Sequence, residues 1–172
     1  MKKIAKFEKV TFEQFLKDWK DTFPQETEEK IKEIYEEIKL PKRATKSSAG
    51  YDFYLPSSIA LSPKESIKIP TGIRVWMENN WVLHVYPRSG LGFKYRLQMN
   101  NTVGIIDSDY YYAKNEGHIF CKIKYDMQEG ASLCLEAGDA FVQGVFLEYG
   151  ITVDDEADGI RRGGLGSTSK KE

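Results

Sequence analysis

Residues 101–112 read NTVGIIDSDYYY and place two carboxylates, Asp107 and Asp109, directly behind an apolar run. A carboxylate taken out of water costs on the order of several kcal/mol unless something compensates it. The acids therefore either cap an ordinary turn or take part in chemistry. In an extended chain Ile105, Asp107 and Asp109 share one face, and Ile106, Ser108 and Tyr110 share the other. An acid beside a polyphosphate could polarise a water for attack. Tyr110 offers a flat ring to a sugar or base. Asn101 carries a paired donor and acceptor, which suits an amide-like base edge such as uracil.

Three other segments could serve the same chemistry. PRSGLG, residues 87–92, presents Arg88, the Ser89 hydroxyl and the open amide of Gly90 at a strand end; a turn with a structural arginine has the same composition. In SAGYDFYLP, residues 48–56, Asp52 could pair with Arg88, face a hydrated cation, or cap a turn. The tail GIRRGGLGSTSKKE combines Arg161 and Arg162 with Gly163, Gly164, Gly166, Ser167 and Thr168. Exposed amides, hydroxyls and guanidinium groups are what a polyphosphate binds. A frayed terminus is the plainer reading of such a tail.

The elements that must position these groups are of two kinds. Thr11 with Gln14 forms a capping box, and Phe12, Phe15, Leu16 and Trp19 follow at helical spacing. Thr27 opens a second helix with Ile31, Ile34, Tyr35 and Ile38 on one face, and Pro41 closes it. Residues 11–40 are thus expected as a helical hairpin, with its stripes serving packing. Residues 2–10 alternate loosely as a first strand. After Ala44 the texture is β: SIKIPTGIRVWM and WVLHVYP are read as strands joined by the turn ENN, and HIFCKIKYDM and AFVQGVFLEYGI as two more. Short strands without later helical periodicity indicate a β-barrel or sandwich.

The totals narrow the class. At 172 residues, 41% hydrophobic and 13% aromatic, the chain is sized for one domain with a real core. Twenty-five basic against 26 acidic residues argue against a duplex nucleic-acid binder. The start MKKIAKFEKV has no apolar signal region, and no run approaches membrane-spanning length. Cys121 and Cys134 are expected as reduced, buried thiols in a cytoplasmic protein. Two Cys and two His at unrelated spacings argue against zinc.

In order along the chain, AGYDFYLP, PRSGLG, NTVGIIDSDY, GDAFVQ and RRGGLGSTS resemble the five motifs of the trimeric dUTPase family, and IPTGI between the first two is similar as well. The likeness covers roughly residues 43–169. The chain differs at Ala140, where the family often has arginine, and at Tyr111-Tyr112 followed by the insertion-like AKNEGH. It also has Leu165 where the family has phenylalanine, and it adds the hairpin at 11–40.

The resemblance implies a mainly β, jelly-roll-like β-barrel with the N-terminal helical hairpin as an insertion. Residues 1–160 form one domain and 161–172 a flexible C-terminal arm. It implies hydrolysis of dUTP to dUMP and pyrophosphate, with Mg²⁺ held by the substrate phosphates, in a homotrimer with sites between subunits. By position, Asp107 activates the attacking water, Asp109 holds the hairpin by local hydrogen bonds, and Tyr110 lies under the deoxyribose. Asn101 and the backbone at Gly104 read uracil. Arg88, Ser89, Gly90 and Gln143 serve the phosphates, with Asp52 supporting Arg88 and touching a water on Mg²⁺. Arg162 is chosen for the γ-phosphate with Arg161 competing, and Gly163, Gly164, Leu165, Ser167 and Thr168 complete the arm's contacts. No membrane or nucleic-acid partner is implied. Two other readings are a dCTP deaminase-like enzyme of the same fold, and a nucleotide-sensing binding protein that docks through residues 11–40.

Overall fold

The computed structural model describes residues 2–161, 163 and 164. Strand β1 (Ala5–Lys9) precedes helices α1 (Phe12–Thr22) and α2 (Glu28–Glu37). Next come β2 (Lys42–Arg43), β3 (Tyr51–Tyr54), β4 (Ile59–Leu61), β5 (Ser66–Pro70), β6 (Ile73–Met77) and β7 (Trp81–Pro87). A short helix α3 (Ser89–Tyr95) leads to β8 (Leu97–Met99) and β9 (Gly104–Asp107). A 3₁₀ turn over Ser108–Tyr112 then leads to β10 (Phe120–Tyr125), β11 (Leu133–Leu135) and β12 (Ala140–Glu148).

The strands pair antiparallel in four groups: β1-β6, β5-β10-β8, β11-β4, and the five-stranded β2-β3-β12-β7-β9. Alternation along them sends Phe53, Leu83, Ile69, Ile123 and Phe141 into one core. No helix among the described residues is long and apolar enough to cross a membrane.

The apolar stripes of α1 and α2 join that same core. Phe15, Trp19, Ile31 and Ile34 are buried, and Phe12 packs partly buried against them. The face offered for docking a partner is therefore covered by the chain's own core. Thr11 caps α1 as expected, its hydroxyl accepting from the Gln14 amide at 3.3 Å. The reciprocal half of the capping box differs: Gln14 donates to Asp18 at 2.7 Å, and Glu116 takes the Thr11 amide at 2.8 Å.

SIKIPTGIRVWM is not one strand. It breaks at Thr71-Gly72 into β5 and β6, which lie in different sheets. Gly72 has φ +73°, and a Cβ there would sit 2.3 Å from Ile38 Cδ1 and 3.4 Å from the Phe15 ring. Only glycine both turns this corner and lets the helices approach. The turn before β7 forms, with Trp81 N donating to Glu78 O at 3.0 Å, but β6 pairs with β1 while β7 pairs with β12 and β9.

Only one of the two thiols is buried. Cys121 lies in the core, where desolvation pushes its thiol up to about 12; Cys134 is exposed on β11. A three-residue strand with its other side chains, Leu133 and Leu135, turned inward must turn Cys134 outward. A thiol reagent under native conditions is expected to label Cys134 and spare Cys121 until unfolding. Two labels per native chain would contradict this arrangement.

Candidate active site

Strand β7 carries a polar group at each end. At its C-terminal end Arg88 follows the strand, and its Nε lies 3.2 Å from Asp52 Oδ1 on β3. Between them, Gln143 on β12 stands opposite both Asp52 and Tyr86, and donates to Pro87 O at 3.3 Å. Gly50 makes room for this amide, since a Cβ there would lie 2.6 Å from Gln143 Oε1. Ser89 and Gly90 open α3 and are exposed. Arg88 and Ser89 line a cavity of ≈ 410 Å³ with Tyr86, Gly92, Phe93 and Leu97. Of the roles the sequence leaves to Asp52, the pairing with Arg88 is present.

At the N-terminal end of β7, Val82 stands opposite Asp107 on β9. The same face carries His84 opposite Ile105, and these residues with Asp109 and Arg161 border a cavity of ≈ 610 Å³. The hairpin from β8 to β9 is tight: Thr102 has φ +68°, and Val103 N donates to Asn101 O at 2.7 Å. Gly104 faces Val85, whose Cβ would be 3.2 Å from a Cβ at that position. Asn101 is exposed at the turn.

The Asp107 side chain is 48% exposed, open enough to meet a water. The Arg161 guanidinium bridges the two acids: Nη2 pairs with Asp107 Oδ2, and Nε with Asp109 Oδ1 at 2.6 Å. Asp109 thus accepts from a residue 52 positions away, where a local hairpin bond is expected from the sequence. Two carboxylates and one guanidinium leave a formal charge of about −1 at this end, so a polyphosphate needs positive charge from elsewhere.

Tyr110 is buried, and burial pushes its phenol above the usual range. Its hydroxyl donates to His118 O at 2.7 Å and accepts from Asn115 Nδ2 at 2.8 Å. Gly164 lies on the ring, since a Cβ there would be 3.2 Å from Tyr110 Cε2. Sequence reasoning missed Asn115, His118 and His84. His84 was legible only through strand register, which puts it on the Asp107 face. Gly163 is described, whereas Arg162, Leu165, Ser167 and Thr168 lie outside the described residues.

The structure brings Asp107, Asp109, Tyr110, Arg161 and Gly164 together, and separately gathers Arg88, Ser89, Asp52 and Gln143. From Val82 to Arg88 is six residues, about 20 Å of strand at ~3.3 Å per residue.

An antiparallel β protein with an acid pair at one end of a strand and an arginine–serine–glutamine group at the other is the class this architecture defines. A family model described as dUTPase matches residues 36–168, and the chain belongs to the dUTPase family. Among relatives, the deoxyuridine 5'-triphosphate nucleotidohydrolase of Lactococcus lactis subsp. lactis is 40% identical over 134 residues, 76% of this chain and 88% of that one. That of Haemophilus ducreyi is 34% identical over 146 residues, 80% of this chain and 91% of its own. The crystal structure of dUTPase from Streptococcus mutans aligns with TM-score 0.63 at 32% identity, covering 87% of this chain and 98% of that one. The dUTPase from phage phi11 of S. aureus aligns at TM-score 0.58 and 21% identity, over 70% and 90% of the two chains, and so shares the fold.

Proposed function

We infer that the protein hydrolyses dUTP to dUMP and pyrophosphate. Such an activity limits uracil in DNA and supplies dUMP. The observation that carries the mechanism is the half-exposed Asp107 carboxylate at the mouth of the larger cavity, one turn of chain from Tyr110. Asp107 accepts a hydrogen bond from a water and takes its proton as the oxygen attacks the α-phosphorus. A new P–O bond forms there, and the bond to the α,β-bridging oxygen breaks. Pyrophosphate leaves with that oxygen. Tyr110 lies under the deoxyribose. Asn101 and the backbone at Gly104 meet the uracil edge, and the narrow hairpin rejects a 5-methyl group.

Arg88, Ser89, Gly90 and Gln143 hold the phosphates. The arm, residues 161–172, closes over them beyond a single domain of residues 1–160. Either Arg161 or Arg162 reaches the γ-phosphate, with Gly163, Gly164, Leu165, Ser167 and Thr168 beside it. A triphosphate is far shorter than the strand that separates Asp107 from Arg88. The two groups therefore serve one substrate only when they come from different copies, which supports a homotrimer of jelly-roll-like barrels with sites between subunits.

Among the described residues no group of three or more His, Cys, Asp or Glu forms a metal cage. An Mg²⁺ ion would arrive on the oxygens of the triphosphate itself. Mg²⁺ supplies charge neutralisation on the phosphates when bound, and Asp52 is placed to hold one of its waters. The balanced composition and the absence of a membrane-crossing helix among the described residues fit a cytoplasmic enzyme of nucleotide metabolism.

Pyrophosphate release measured over all deoxynucleoside triphosphates, with UTP as the sugar control, tests the activity. Release from dUTP alone is expected; ammonia release from dCTP would instead indicate a deaminase. Mixing tests the division of the site. Asp107→Asn and Arg88→Ala proteins are each expected to be nearly inactive. Unfolded together and reassembled at equal amounts, they should recover roughly a quarter of wild-type activity, because random cyclic assembly pairs the intact halves in that fraction of sites. No recovery would mean that each chain builds its own site.

A further inference from the structure

We propose that helix α1 and its N-cap position Tyr110 for sugar selection by holding residues 113–118 at Glu116 and at His118, with Glu116, His118 and Asn115 as positioning residues. The inference rests on the reading of Tyr110 as the ring beneath the deoxyribose. The family match begins at residue 36, so α1 lies outside it. Even so, α1 is tied directly to the segment around Tyr110.

At the start of α1, both Glu116 oxygens are engaged by Thr11: Oε2 accepts from the backbone amide at 2.8 Å and Oε1 from the hydroxyl at 2.7 Å. Seven residues further on, Asp18 Oδ2 meets His118 Nδ1 at 2.6 Å. The other imidazole nitrogen accepts from Gly72 N at 2.8 Å, which leaves Nδ1 to carry the hydrogen toward the carboxylate. His118 is fully buried and Asp18 is 7% exposed. Burial alone would raise the Asp18 carboxyl, but the bonds from His118 and Gln14 outweigh it and hold it below the usual range. Parting the two would leave a buried polar group without its partner, which is costly, so the contact fixes His118 against α1.

The anchored segment grips Tyr110 from three directions. The His118 carbonyl accepts from its hydroxyl, the Asn115 amide donates to that hydroxyl, and Gly117 packs on its backbone. Gly117 has φ +72°, and a Cβ there would lie 2.7 Å from Tyr110 O. A phenol that donates to one fixed group and accepts from another cannot rotate or slide. The space between this ring and a bound sugar decides whether a 2′-hydroxyl fits. That space is therefore set by α1, through residues 113–118.

The test compares kcat/KM for dUTP and UTP in Glu116→Ala, Asn115→Ala and Thr27→Ala proteins. Thr27 caps α2 and touches none of these groups, so it controls for general loosening. Glu116→Ala and Asn115→Ala are each expected to narrow the dUTP:UTP ratio about tenfold, against the ~10²-fold that a 1 Å misplacement can cost. Thr27→Ala should lower thermal stability and leave the ratio unchanged. Hydrogen exchange should quicken in residues 110–118 of the Glu116→Ala protein and not in β12. Unchanged ratios in the first two proteins, or equal narrowing in the third, would overturn the inference. A wild-type protein that does not cleave dUTP would overturn the catalytic reading beneath it.

Discussion

Asp107→Asn lowers kcat for dUTP by about 10²–10⁴-fold, the usual contribution of a positioned general base, while nucleotide binding persists. The replacement keeps the size of the side chain and an acceptor oxygen but cannot take a proton at neutral pH. Asp107 sits at the end of β9 in register with Val82, and its backbone is fixed by that pairing. The amide therefore stands where the carboxylate stood, and the loss reads as chemistry. Pyrophosphate release gives the rate, and titration with dUTP gives the affinity. Hydrolysis near the wild-type rate would remove Asp107 from the mechanism.

Deleting residues 161–172 should cut turnover by at least ~10²-fold, since the loss of even one preorganised donor to a transition-state oxygen costs that much. The same deletion should barely move the melting temperature. Arg161 of the arm pairs with Asp107 and Asp109, and Gly164 packs on the Tyr110 ring. Both acids are about half exposed, and ion pairs so placed contribute ~0–1 kcal/mol. Loss of rate with retained folding separates the arm's role in catalysis from any role in stability. A truncated enzyme of unchanged rate would remove the arm from the site.

What could be read from the sequence was what repeats locally. The stripes at Phe15, Trp19, Ile31 and Ile34 follow helical spacing, and they are buried. The strands in WVLHVYP and AFVQGVFLEYGI declare themselves by β-branched and aromatic content. Helix α3 did not, because SGLGFKY has two glycines and no apolar stripe. The corner at Gly72 was hidden for another reason: its necessity comes from Ile38 and Phe15, more than 30 residues away. At the site, Asp107 and Tyr110 stood out as part of an ordered motif. The partner of Asp109 did not, because no local rule links Asp109 to Arg161. Nor could His118 be told from an ordinary core histidine before α1 was seen against it.

The two ends of β7 carry a consequence for the cell. If Asp107 of one copy must meet Arg88 of another, as proposed above, an isolated chain has no working centre. Specific activity then becomes a function of how much enzyme is present. On the proposed division of the site, dilution below the point of assembly would silence the catalyst and accumulation would awaken it, with no effector molecule needed.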